Sequence, residues 1–125
     1  HFRYDITSTG VLRISVKIDG SNYAANEAQS FTFTNGRWYN VIFVYDGTLT
    51  GNTNICKLYI DGQPQTVTNL YENMPSSFLS SSSSLNIGRF GSSSHRYFDG
   101  KISNVQIWDT DLSSSEVTTL YNEVE

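Results

Sequence analysis

Arg89, His95, Arg96 and Tyr97 gather cationic and aromatic groups into one short stretch of a chain with only eight Lys and Arg among 125 residues. A guanidinium can grip a carboxylate or sulfate through two parallel hydrogen bonds. An aromatic ring offers an apolar face on which a sugar ring can stack at small entropic cost. The same four residues also read as rim charge that simply keeps a loop solvated. A second set, Tyr39, Phe43 and Tyr45, falls on one side of an alternating segment and could stack a sugar if that face is concave and uncovered. A helix or another layer packed over the face would make it core instead.

The residues needed for catalysis do not assemble. Glycoside hydrolysis requires two carboxylates at a set separation, and on a strand they occupy alternate positions. The Glu residues are 27, 72, 116, 123 and 125, none followed by Asp two places on. Asp109 and Asp111 do alternate, but they lie just before a helix start, where negative charge suits the helix dipole. His1 and His95 are the two histidines, and no Gly-x-Ser-x-Gly elbow occurs. No catalytic residue is assigned. One cysteine and two histidines are too few for a zinc-type cluster. The oxygen-rich loop 46–54 (DGTLTGNTN) leaves calcium open as a cofactor, through Asp46, Asn52 and Asn54. Lys57 stands where an EF-hand-like loop needs its closing Glu. Asp46, Asp61 and Asp99 otherwise serve as turn residues.

Composition narrows the partners. A net charge of −4 with scattered basic residues argues against nucleic acid, which demands a basic stripe. No apolar run is long enough to insert into a membrane, and no charged-then-apolar leader is present. The chain starts at His1 without Met, so a longer parent protein is expected. Cys56 has no intrachain partner and shares a strand face with Leu58 and Ile60, the setting of a small buried thiol. Nothing basic stands close in sequence to activate it, apart from Lys57 on the other face.

Aromatic content of 14 % against 16 % charge suits short β-strands. Asp-Gly or Asn-Gly pairs at 19–20, 35–36, 46–47, 61–62 and 99–100 mark turns. Between them run alternating segments at 11–18, 30–34, 38–45, 55–60 and 102–108. A two-residue loop at Asn35-Gly36 predicts Phe33 opposite Trp38, with Phe31, Phe33, Trp38, Ile42 and Val44 on one core face. Ile102, Val105 and Ile107 are expected to be buried with them in two packed antiparallel sheets. At Asp61-Gly62 the register sets Tyr59 opposite Pro64, which predicts an edge strand over 63–67. Ser113 and Glu116 make a capping box, with Leu112 and Val117 as a staple, so a helix of about two turns follows. Seven of the ten residues 75–84 are Ser, which reads as a loop or extended connection.

Five segments in order carry a resemblance: RWYNVIFVYDG (37–47), KLYIDG (57–62), LNIGRF (85–90), FDGKISNVQIW (98–108) and LSSSEVTTLYN (112–122). Together they resemble the laminin-G-like, concanavalin-A-like domains over residues 11–121. The resemblance implies an all-β fold, an antiparallel two-sheet jelly-roll sandwich with one short C-terminal helix, as a single domain over 1–125. Members usually carry another strand or two before the segment matching residues 1–18, so this chain enters the fold late. The resemblance implies a non-catalytic recognition or adhesion module that meets a glycan or protein surface, with carbohydrate the favoured ligand, placed outside the cell, on its surface or on a virion. A structural module of a surface, fibre or virion protein, joined to other domains or subunits, is the alternative. A hydrolase comes third, because the Glu-x-Asp-x-x-Glu strand of the related sandwich hydrolases is absent.

Overall fold

Alternation of Leu12, Ile14 and Val16 with Arg13, Ser15 and Lys17 buries one side of a strand and leaves Arg13 and Lys17 partly exposed on the other, where Ser15 is buried between them. The computed structural model describes residues 2–91 and 96–124. Its elements run β1 (Phe2–Ile6), β2 (Leu12–Lys17), β3 (Tyr23–Ala28), β4 (Val41–Tyr45), a single turn α1 (Asn52–Ile55), β5 (Cys56–Ile60), β6 (Gln63–Pro64), β7 (Val67–Tyr71) and α2 (Ser114–Val124). Two units are distinguished, His1–Leu79 with Asp111–Glu125, and Ser80–Thr110.

The larger unit holds two antiparallel sheets, one ordered β1-β2-β3-β7 and one ordered β4-β5-β6. Leu12, Ile14, Val16, Ala24 and Ala28 from the first meet Cys56, Leu58 and Ile60 from the second in one buried cluster. Burial pushes the Cys56 thiol up to about 12, with an Asn26 hydrogen bond acting the other way. The outward side of β4 and β5 presents Val44 and Tyr59, which pack with Val117 of α2. At Asp61 and Gly62 both φ angles are positive (51° and 73°), as a primed hairpin turn requires. Tyr59 pairs with Pro64 as expected, but β6 ends there. The chain then crosses to the other sheet as β7, so 63–67 is not one edge strand.

The register expected around Asn35-Gly36 is corrected. The turn exists, with Gly36 at φ 80°, but residues 31–34 and 37–40 form no ladder. Trp38 is 62 % exposed. Tyr39 takes the inward place instead, edge-on to Phe31 and Phe33 at 5.5 and 4.9 Å between ring centres, while its hydroxyl accepts from the Thr34 amide at 2.9 Å. The register comes from β5: Val41, Phe43 and Tyr45 oppose Ile60, Leu58 and Cys56. Asp61 fixes the strand's start by accepting from the Asn40 amide at 2.9 Å and from Arg37 at 2.7 Å. A one-residue offset exchanges the two faces of a strand, so Ile42 and Val44 turn toward α2.

Ile102, Val105 and Ile107 are likewise not core; they are 48, 51 and 69 % exposed. In Ser80–Thr110 no extended strand is assigned among the described residues. Asn104 adopts φ 52° between Ile102 and Val105, which interrupts the extended backbone a ladder would need.

Between the sheets sits a polar exception, Asn26, which is fully buried. Its amide donates to the carbonyls of Asn52 at 2.9 Å and Cys56 at 3.1 Å, and accepts from Asn69 at 3.1 Å. Asn52 extends the chain of amides, donating to Asn69 and Asn73 at 3.0 Å and accepting from the Met74 amide at 2.8 Å. At the far end of the chain the capping box forms as expected. Glu116 accepts from the Ser113 amide at 2.8 Å, and the Ser113 hydroxyl accepts from the Glu116 amide at 3.3 Å. The helix it starts has eleven residues, longer than expected. The Ser113 contacts hold the Glu116 carboxyl below its ordinary range. Their contribution is therefore present above the ordinary carboxylate value and fades as pH falls through the depressed one.

Three measurements by chemical denaturation check this fold. Asn26→Ala removes the side-chain donor from two carbonyls and one acceptor from the Asn69 amide, which keeps its bond to the Ala25 carbonyl, and is expected to cost about 3 kcal/mol. Trp38→Ala is expected to change stability by less than about 0.5 kcal/mol, as exposed positions do; a loss above ~3 kcal/mol would restore Trp38 to the core. Ser113→Ala is expected to cost about 1 kcal/mol, and an unchanged midpoint would remove the cap from the account.

Candidate functional site

Two glycines shape the stretch that holds the basic and aromatic residues. Gly88 and Gly91 both have positive φ, at 75° and 53°. Between them Arg89 forms an antiparallel bridge with Tyr97. The Phe90 amide donates to the Arg96 carbonyl at 3.0 Å and the Phe98 amide to the Gly88 carbonyl at 2.8 Å. With these bonds flanking them, Arg89 and Tyr97 stand directly opposite each other with side chains on one face. Arg96 and Phe90 take the other face, where the guanidinium lies 5.2 Å from the ring centre. The quartet is thus divided: Arg89 with Tyr97, Arg96 with Phe90, and His95 outside the described residues.

Arg89 is oriented by a partner, its Nε donating to Asn86 Oδ1 at 3.1 Å. Arg89 is exposed, and a guanidinium carries further donors in a fixed fork geometry suited to a carboxylate or paired hydroxyls. Tyr97 is 62 % exposed. Asn86 and Phe90 had gone unmarked in the sequence, although the i, i+3 spacing of Asn86 and Arg89 was a readable signal.

The alternative stripe keeps its members on one side of the chain but turns them inward. Tyr45 stacks on Phe78 with ring centres 4.1 Å apart and donates its hydroxyl proton to the Pro75 carbonyl. Phe43 packs against Phe2 at 5.9 Å, and Tyr39 is held by Phe31 and Phe33. All three rings pack against the main core, so the condition of an uncovered face is not met.

In the loop 46–54, Asp46 Oδ1 accepts from the Thr48 amide at 2.9 Å and from its hydroxyl at 2.6 Å, which lowers the Asp46 carboxyl. Asn52 belongs to the buried amide chain, and Asn54 donates to the Thr50 carbonyl at 2.9 Å. Asp46 and Asn54 thus bond within the loop, while Asn52 ties it to Asn69, Asn73 and Met74. Among the described residues no three His, Cys, Asp or Glu side chains group as a metal site. No helix among them is long and apolar enough to cross a membrane.

No curated protein matches the chain in sequence. Among solved structures, it is similar to residues 221–444 of an S-layer domain-containing protein from Clostridium thermocellum ATCC 27405, determined at 2.1 Å. Identity is 26 % and the TM-score 0.52, over 96 % of this chain and 55 % of that one, so the chain spans about half of its relative. The family model Laminin_G_3 matches residues 1–118. With its two antiparallel sheets and C-terminal helix, the chain belongs to this family of the concanavalin A-like lectin/glucanases superfamily.

Proposed function

We propose that this chain is a non-catalytic recognition module of a longer surface or extracellular protein, and that it binds carbohydrate through Arg89 and Tyr97. The observation that carries this reading is their cross-strand pairing, with Arg89 steered by Asn86 and Tyr97 exposed. A sugar lying on the Tyr97 ring brings a carboxylate or hydroxyl pair to the guanidinium. The superfamily's description names both lectins and glucanases. The engaged carboxylates favour the lectin side: Asp5 pairs with Arg3, Glu27 with Arg13 and Asp61 with Arg37, while Glu116 caps a helix. The likeness to an S-layer domain-containing protein favours a second reading, a structural module whose exposed groups meet neighbouring protein rather than glycan.

A glycan array followed by titration separates the two readings. Tyr97→Ala and Arg89→Ala are each expected to weaken a bound glycan about tenfold. The Arg89 contribution should shrink as salt rises, and that of Tyr97 should not. Arg96→Ala, on the opposite face, is expected to change affinity less than about twofold, within rim-charge behaviour. A glycan whose affinity ignores both Arg89→Ala and Tyr97→Ala would place the site elsewhere. Failure of every glycan would leave the structural reading.

A further inference from the structure

β1 is the outermost strand of the four-stranded sheet, with β2 as its ladder neighbour on one side and no strand paired on the other among the described residues. Natural sheets usually shield such an edge with proline, lysine or a bulge. The opposite edge of this sheet is interrupted: the ladder is antiparallel up to Ala25–Leu70, Tyr71 follows at φ 68°, and the next bridge, Ala24 to Glu72, is parallel, a break that blunts that edge. β1, FRYDI, has no such device. Its inward-facing residues Phe2, Tyr4 and Ile6 oppose the buried Val16, Ile14 and Leu12, yet remain 45, 38 and 38 % exposed. Phe2 packs against Phe43 and Phe78, at 5.9 and 5.6 Å between ring centres, and no strand pairs with β1 on its outer flank among the described residues.

The sequence of β1 is complementary to itself. When two copies run antiparallel about Tyr4, Arg3 of each falls opposite Asp5 of the other, Phe2 opposite Ile6, and Tyr4 opposite Tyr4. Residues directly opposite lie on the same side of the sheet, so the inward faces of both copies stay together. A slip by two residues puts Arg3 opposite Arg3 in one direction and Asp5 opposite Asp5 in the other. Like charges directly opposite are destabilising. One register alone combines opposite charges with paired apolar residues.

We propose that β1 is a self-association edge, through which two copies join antiparallel about a two-fold axis into one continuous eight-stranded sheet. Such an interface is isologous, each contact occurring twice, and its backbone bonds are those of strand addition. Five residues a side make it a small interface, so it is weak and concentration-dependent. It suits a protein held at high local density, and it stands independently of any glycan affinity.

Sedimentation equilibrium of the 125-residue chain, from about 10 µM to about 1 mM, tests the edge in the range expected of small interfaces. A monomer–dimer equilibrium is expected for the wild type, and a monomer throughout overturns the proposal. Arg3→Asp puts Asp opposite Asp, and Asp5→Arg puts Arg opposite Arg. Each alone is expected to weaken the dimer about tenfold or more, with circular dichroism confirming the fold. Mixing the two variants restores opposite charges at both positions, so a mixed dimer near wild-type strength is expected. Wild-type dimerisation by either single variant, or a mixture no stronger than its components, sinks this register.

Discussion

The buried amide of Asn26 is the contact on which the arrangement of the two sheets depends. A polar side chain in an apolar interior is tolerated only when its hydrogen-bonding capacity is met. Here both donors and the carbonyl oxygen are used. Asn26 and Asn69 lie on β3 and β7 of one sheet, while the carbonyls they reach through Asn26 belong to α1 and β5 on the other side of the core. Apolar packing between Ile14, Val16, Leu58 and Ile60 is strong but directionless. The amide chain adds direction, because a shift of either sheet would strand several groups at once. It also ties down the segment through Met74, and with it the crossing from one sheet to the other.

That anchoring explains which parts of the molecule are free to meet a partner. In the larger unit the apolar side chains from β2, β3 and β5 close on one another, and Val44 and Tyr59 close on Val117 of α2. In that unit the outer edge of β1 stays unpaired among the described residues; within Ser80–Thr110, taken by itself, Tyr97 and the apolar residues Ile102, Val105 and Ile107 are exposed.

Local chemistry made much of this legible. Alternation marked β2, the capping box marked the start of α2, and Asp61-Gly62 marked its hairpin down to the Tyr59–Pro64 pair. Each depends on neighbours within a few residues. Asn35-Gly36 carried the same kind of signal and misled, because Asp61, some twenty-five residues away, grips the following segment through Arg37 and Asn40. Asn26 was unreadable, since its partners come from distant loops and an Asn in a strand normally argues for the surface. Of the basic and aromatic group, nearness in sequence was visible. Its division into two faces depended on strand pairing, which composition does not encode.

α2 covers the outward face of β4 and β5, yet among the described elements it follows them by some fifty residues. During synthesis at about 5–20 residues per second, the three-stranded sheet is complete several seconds before Val117 leaves the ribosome. For that interval Val44 and Tyr59 lie bare, and the nascent sheet carries an unmatched apolar side. The helix therefore acts as a late seal. Its capping box starts the seal locally, from Ser113 and Glu116, without waiting for any long-range contact.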